Sequence, residues 1–187
     1  MRSEIERWNA KYLAANPNPR FEPDPLLVDL APKLRGGVAL DVACGVAHNA
    51  MFLAEHGYEV LAVDGSLAAL RYARDRLRER PLPVWLVAVD LDRFAPAEAQ
   101  FDLIVIVRFL DRSLISRLVR GLRPGGLFVC KTFNVNYQRE RPAFNPDFLL
   151  KPGELARLLR DLQPVATNDA PDIREIETYW IGRRVTA

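Results

Sequence analysis

Three features of the sequence predict an α/β chain organised on a mostly parallel sheet. Residues 38–66, VALDVACGVAHNAMFLAEHGYEVLAVDGS, read as a strand, a small-residue turn, a helix and a second strand that stops on Asp64, which makes a βαβ unit. Residues 101–107, FDLIVIV, form an apolar run of strand length, the pattern of a central parallel strand buried on both faces. Strand-like runs alternate with amphipathic helical stretches along most of the chain, the order from which open parallel sheets are built.

Taken in order, residues 3–15 read as an amphipathic helix with Ile5, Trp8, Tyr12 and Leu13 at helical spacing, ended by Asn16-Pro17-Asn18-Pro19. Trp8 and Tyr12, four apart, call for a buried neighbour, either a sheet edge or a bound ligand over which they close. Residues 25–34 form a short helix, and Gly36-Gly37 turn the chain into the first strand, 38–41. The following helix ends near Gly57, and the second strand occupies 58–63. Ser66 is an N-cap for a helix running to about Arg80, which Pro81 and Pro83 stop. A third strand, 84–89, ends on Asp90-Leu91-Asp92.

The apolar run 101–107 delivers Arg108-Phe109-Leu110-Asp111 to the carboxyl ends of the strands, where open α/β sheets bind ligands. Residues 113–122 are a further amphipathic helix, Arg123-Pro124-Gly125-Gly126 the turn that ends it, and 127–133 the fifth strand. The loop 134–150 is long for a compact domain, and Tyr137, Arg139, Arg141 and Phe144 make it a candidate substrate lid. Pro152 and Glu154 open a helix to about Leu162, and 174–185 alternates as an edge strand.

At 187 residues and 49% hydrophobic, the chain is expected to form one domain over 1–187, with 1–35 as a helical cover on a core of 36–187. The net charge is +2, and the arginine-rich run 71–80 reads as the solvated face of a helix, so no nucleic-acid surface is expected. Cys44 and Cys130 are the only cysteines, which implies free thiols rather than a disulfide framework or metal cluster. No signal-peptide core and no spanning apolar run occurs, so the expected location is the cytoplasm, away from membranes.

The turn after the first strand narrows the ligand. A dinucleotide loop needs glycines at three positions that here read Gly45, Ala47 and Ala50, a poor cradle for a pyrophosphate. Asp41, at the end of an apolar strand, suits loop amides and a cationic ligand head, and would repel a pyrophosphate. Asp64 lies about 20 positions beyond the turn, where a carboxylate meets the ribose of an adenosine cofactor.

Asp41-Val-Ala-Cys-Gly45 and Val60-Leu-Ala-Val-Asp64-Gly-Ser66 resemble motif I and the following acidic position of the class I S-adenosylmethionine-dependent methyltransferases, whose usual form is V/L-L-D-L/V-G-C-G-x-G. Ala43 and Ala47 stand at two of its glycine positions, which alanine fits if φ stays negative. His48-Asn49-Ala50, Arg108-Phe-Leu-Asp111, Arg123-Pro-Gly-Gly126 and Asn145-Pro-Asp-Phe-Leu-Leu-Lys-Pro-Gly-Glu154 resemble a small bacterial subgroup related to the tellurite-resistance and thiopurine-type enzymes. The likeness covers roughly residues 36–155.

The resemblance implies a Rossmann-like methyltransferase fold with a mostly parallel seven-stranded sheet, an antiparallel edge strand and helices on both faces. It implies S-adenosylmethionine as cofactor and S-adenosylhomocysteine as product, held by Asp41, Ala43, Cys44, Gly45, Asn49, Asp64, Gly65, Ser66, Asp90, Leu91, Val107 and Arg108. Asp90 would take the adenine amino group and Leu91 the ring face, the alternative being that Asp90 only caps a turn. Trp8, Tyr12, Arg108 and Phe109 would line the acceptor side, with Arg108 holding an anionic acceptor or pairing with Asp111, where the subgroup often has His.

Methyl transfer from a sulfonium is an in-line displacement in which charge disappears, so the protein aligns the partners and excludes water. If the acceptor needs deprotonation, Asp111, Tyr137 and His48 are the candidates, while His56 reads as a helix C-cap. Asp90 and Asp92 belong to the adenine side, so no metal is expected. The leading function is methyl transfer to a small-molecule acceptor by a monomer or homodimer. Two alternatives stay open: a protein that binds the cofactor or its product without transfer, and a nicotinamide-dependent oxidoreductase, opposed by Ala47, Ala50 and the missing Tyr-x-x-x-Lys.

Overall fold

The structure, a computed structural model, describes residues 2–14, 22–170 and 172–185. The Asn16–Pro19 helix stop falls outside the described residues. The chain makes two compact units, Met1–Phe94 and Ala95–Ala187.

The first unit runs α1 (Arg2–Ala14), α2 (Pro25–Leu30), β1 (Gly37–Val42), α3 (His48–Glu55), β2 (Tyr58–Asp64), α4 (Leu67–Glu79) and β3 (Val84–Ala88). β2 is parallel to β1, with Val42 opposite Val63, and to β3, with Asp64 opposite Ala88. The predicted pattern is the cause: Ala39, Leu40, Val42, Val60, Ala62 and Val63 are all buried. α4 starts where Ser66 caps it, its Oγ accepting from the Ala69 amide. Small residues, Ala68, Ala69 and Ala73, face inward, while Arg71, Arg74, Arg76 and Arg78 are solvated. That outer face carries exposed Arg74–Asp75, Arg76–Glu79 and Arg78–Asp75 pairs, each worth at most about 1 kcal/mol.

The second unit runs β4 (Phe101–Val107), α5 (Arg112–Val119), β5 (Leu122–Phe133), α6 (Glu154–Leu158), β6 (Gln163–Thr167) and β7 (Glu177–Arg183). β4 and β5 are parallel; β7 is antiparallel to both β5 and β6. The strands follow the order β3-β2-β1-β4-β5-β7-β6, a seven-stranded, mostly parallel sheet with an antiparallel pair at one end. No described helix is long and apolar enough to cross a membrane.

Three expectations are corrected in this unit. The tail strand is antiparallel as expected but lies inside the sheet, because β6 pairs along its outer side. β6 escaped the sequence reading through Pro164, which an edge strand tolerates because no partner needs its missing N–H. β5 begins at Leu122, so Arg123–Gly126 forms an irregular start to the strand, where the register shifts between Phe101 and Leu103. α6 ends at Leu158 rather than near Leu162, and its N-cap Gly153 is left-handed, with φ 70°.

The excursion from β5 to α6 is pinned at its base. Asn134 and Leu150 form a parallel bridge, the Val135 amide donates to Leu150 O, and the Leu150 amide donates to Phe133 O, both at 3.0 Å. The buried Asn134 amide group also donates to Glu175 O at 2.9 Å and to Thr178 Oγ1 at 3.0 Å.

Gly36 is required at the entry to β1. Its φ is 75°, and a Cβ there would lie 2.7 Å from Gly57 O. Gly125 is left-handed too, with φ 81°, but a Cβ would meet nothing within 4 Å. Gly125→Ala should therefore cost about 1–2 kcal/mol for the backbone conformation alone, and Gly36→Ala about 1 kcal/mol or more beyond that for the clash with the Gly57 carbonyl. Urea unfolding of the two variants measures the difference; equal losses would remove the Gly57 contact as a constraint.

Candidate functional site

In the first unit the site is built around the end of β2. Asp64 Oδ2 accepts from the Gly45 amide at 2.8 Å and Oδ1 from the Ser66 amide at 2.7 Å, so one carboxylate joins the turn after β1 to the head of α4. Burial raises the Asp64 pKa, and the Ser66, Gly45 and Gly65 amides oppose that rise by stabilising its charge. The turn is further fixed by the Cys44 amide donating to Val63 O at 3.1 Å and the Ala47 amide to Cys44 O at 2.8 Å.

Those hydrogen bonds overturn the expectation of negative φ at the two alanines. Ala43 has φ 54°, Ala47 φ 59° and Gly45 φ 55°, so the turn keeps the left-handed conformation of a glycine loop at all three positions. The smallest chiral side chain makes this tolerable, at about 1–2 kcal/mol per residue.

Asp41 does not gather the loop amides; Asp64 does. Asp41 is 1% exposed, Ala50 in the first turn of α3 gives it a backbone hydrogen bond, and its Oδ2 has no partner among the described residues. Burial first, and then the Asp64 charge, push its pKa up to about 8 against the opposing Ala50 amide. An orphaned carboxylate oxygen next to a glycine-type turn suits the cationic ammonium or sulfonium of a cofactor and would repel a pyrophosphate.

α1 lies on this turn through one face, Ile5, Asn9 and Tyr12. A Cβ on Gly65 would be 2.9 Å from Ile5 Cγ1, and one on Gly45 would be 2.7 Å from the Tyr12 hydroxyl. Asn9 Oδ1 accepts from Ser66 Oγ at 2.8 Å and from the Ala68 amide at 3.1 Å. Burial and the Asp64 and Cys44 charges push the Tyr12 pKa up to about 12. Trp8 meets Tyr12 ring to ring, centroids 6.1 Å apart, but is 36% exposed and carries Lys11 Nζ 4.1 Å from its ring centre. Asn9 was missed by the sequence reading, although its place four residues after Ile5 on the same face was the available signal.

The remaining first-unit candidates divide. Asn49 is buried and its Oδ1 accepts from the Asp24 amide at 2.9 Å, so it holds the start of α2. His48 is the half-buried first residue of α3. His56 is the C-cap of α3, its Nδ1 2.8 Å from Phe52 O. Asp90 is exposed and accepts from the Asp92 amide at 3.1 Å, a turn cap, while Leu91 is buried. Cys44 and Cys130 are both free and buried, and burial raises both thiols.

In the second unit the carboxyl ends of β4 and β5 carry a separate cluster. Arg108 is left-handed, with φ 55°, and its amide donates to Lys131 O at 2.7 Å. Its Nε donates to Glu177 Oε1 at 2.9 Å, and Lys131 Nζ lies 3.1 Å from Glu177 Oε2. Asp111 caps α5 by accepting from the Leu114 amide at 2.9 Å and also receives the Ser113 hydroxyl. Tyr137 stacks on Phe133 at 4.0 Å and meets Phe144 edge-on at 5.1 Å. Val107 and Phe109 are half-buried on either side of Arg108.

Residues 39–126 match the family described as methyltransferase domain. The chain is 29% identical over 174 residues to the ubiquinone biosynthesis O-methyltransferase of Thiobacillus denitrificans, covering 78% of this chain and 75% of that protein. It is 31% identical over 140 residues to Hemagglutinin 1 of Eikenella corrodens, covering 70% of this chain but 45% of that protein, so it spans less than half of that relative. Among solved structures, the N-methyltransferase NodS from Bradyrhizobium japonicum superposes with TM-score 0.68 at 21% identity, covering 87% of this chain and 94% of that one. A methyltransferase from Mesorhizobium loti does so with TM-score 0.70 at 18% identity, covering 86% and 96%. The domain match over 39–126, the strand order and the 38–66 unit together support a class I S-adenosylmethionine-dependent methyltransferase. The narrower tellurite-resistance and thiopurine likeness is not carried by these matches.

The buried acid makes a stability prediction. With a folded pKa near 8, above the ordinary carboxylate value, folded Asp41 keeps a proton that the unfolded chain releases above about pH 4. Stability therefore falls as pH rises from about 4 to about 8 and is level beyond. Asp41→Asn removes that loss: the variant should unfold at higher urea than the parent at pH 8, by more than about 1 kcal/mol, with the gap closing toward pH 5.

Proposed function

We propose that this chain transfers a methyl group from S-adenosylmethionine to a small-molecule acceptor. The observation that carries the reading is the pairing of Asp64, tied to both the Gly45 turn and Ser66, with an orphaned buried oxygen on Asp41. When bound, the cofactor supplies an activated methyl group on a sulfonium.

Asp64 would hold the ribose hydroxyls of the cofactor with its remaining lone pairs, and Asp41 would hold a cationic group of its methionyl end. The backbone of Ala43, Cys44 and Gly45 would hold that end, Gly65 and Ser66 the adenosine, and Asp90 with Leu91 the adenine. Tyr12, half-buried and above Gly45, closes over the turn and excludes water. Within the second unit, Glu177 sets the direction of the Arg108 guanidinium, which with Phe109 is the candidate group for holding an anionic acceptor. Asp111 is engaged as a helix cap, so a soft acceptor that needs little deprotonation fits this arrangement best.

Calorimetric titration with S-adenosylhomocysteine, with NADH in a parallel cell, tests the reading. Binding of S-adenosylhomocysteine alone, with a dissociation constant on the order of micromolar, is expected; binding of NADH alone, or of neither, overturns it. Asp64→Ala should weaken that binding by roughly 1–3 kcal/mol. Arg108→Ala should leave it nearly unchanged and lower turnover of an acceptor found by screening with labelled methyl groups.

A further inference from the structure

We propose that cofactor binding at Asp41 releases a proton from the Asp41 carboxyl, so that the proton and a cationic group of the ligand compete for the same oxygen. The inference rests on the cofactor reading above and goes beyond it. Asp41 is 1% exposed and its Oδ2 meets no donor among the described residues, while a backbone amide, that of Ala50, stabilises the carboxylate. A buried, half-satisfied carboxylate is costly; it stays neutral by holding a proton or becomes stable by meeting a cation.

Among the described residues, the groups shown facing Asp41 are acidic or neutral rather than Lys or Arg. β2 brings Asp64, whose charge works against ionisation of Asp41. The turn brings Cys44, whose thiol is pushed well up, and α1 brings Tyr12, pushed up to about 12, so both stay neutral at physiological pH. α3 brings His48, two residues before the Ala50 amide. Lys11 and Arg7 of α1 lie elsewhere, placed over the Trp8 ring. A ligand cation is thus the group that lets Asp41 ionise, and the displaced proton passes to solvent.

The test is calorimetry of the full chain with S-adenosylmethionine and with S-adenosylhomocysteine at about pH 7, in phosphate and in Tris, whose ionisation heats differ. The expected difference corresponds to roughly 0.9 proton released per ligand bound, and affinity should rise about tenfold per pH unit between about pH 5 and pH 7, flattening towards pH 8. Release with both ligands assigns the ammonium as the partner; release with S-adenosylmethionine alone assigns the sulfonium; either supports the coupling. Asp41→Asn should abolish both the release and the pH slope, whereas His48→Gln should retain them; the ligands' own titration appears in every variant and cancels. Binding with fewer than about 0.2 protons released, or a slope that survives Asp41→Asn, overturns the coupling while leaving the cofactor reading intact. If the Asn variant does not fold, the buffer pair on the parent chain decides alone. If neither ligand binds at any pH, the cofactor reading itself is overturned, and the coupling with it.

Discussion

The first unit depends on one carboxylate. Asp64 receives the Gly45 and Ser66 amides at 2.8 and 2.7 Å, and each such charge-assisted hydrogen bond is worth about 1.5–3 kcal/mol. Ala43 and Ala47 each hold a left-handed conformation that costs about 1–2 kcal/mol, so the two terms are of the same size. The tie offsets the strain, and the strain is what exposes the turn's backbone. Position and chemistry coincide, because the group that shapes the turn is the acid proposed to meet the ribose.

Electrostatic economy follows from what surrounds that acid. Asp41 and Asp64 lie close enough for each to perturb the other or a shared neighbour, and the face of α1 laid against them offers Ile5, an Asn9 carbonyl and a neutral phenol. The basic residues of α1 are turned toward Trp8 and Glu4. The turn therefore keeps a negative character that a cationic ligand satisfies and a pyrophosphate does not. The second unit is arranged differently: Glu177 sits between Arg108 and Lys131, so that cluster is internally compensated and oriented.

Much of this was legible in the sequence because spacing fixes it. The distance from Gly45 to Asp64 is set by one helix and one strand, and Ser66 at the next helix start announces its cap. Trp8 and Tyr12 do form a ring pair, but at about 100° per residue Trp8 sits roughly 60° from Ile5, on the margin of a stripe centred on Ile5, Asn9 and Tyr12. Leu13 falls on the other margin and is 68% exposed. The sign of φ at Ala43 and Ala47 was not legible, since hydrogen bonds from the Cys44 and Gly45 amides to Val63 O and Asp64 fix the turn. Neither was the partner of Arg108: Glu177 comes 69 residues later, placed by the antiparallel register of β7.

The pinned base of the 134–150 excursion separates its shape from its contents. Backbone bonds at Phe133, Val135 and Leu150 close the loop, and Asn134 and Asn136 fasten that closure to Ile173, Glu175 and Thr178, with Leu149 buried in the core, so the stretch between 137 and 148 is the part that the base does not hold. The interior is held by weaker means, the Tyr137, Phe133 and Phe144 rings and the Arg112 contacts to the Asp147 and Leu149 carbonyls. Lengthening a loop whose ends are already joined costs little entropy, about 0.6 kcal/mol per doubling. Such a segment is an exchangeable cassette: its residues can be rewritten by drift, or by design, to suit a new acceptor while the strands beneath keep their register.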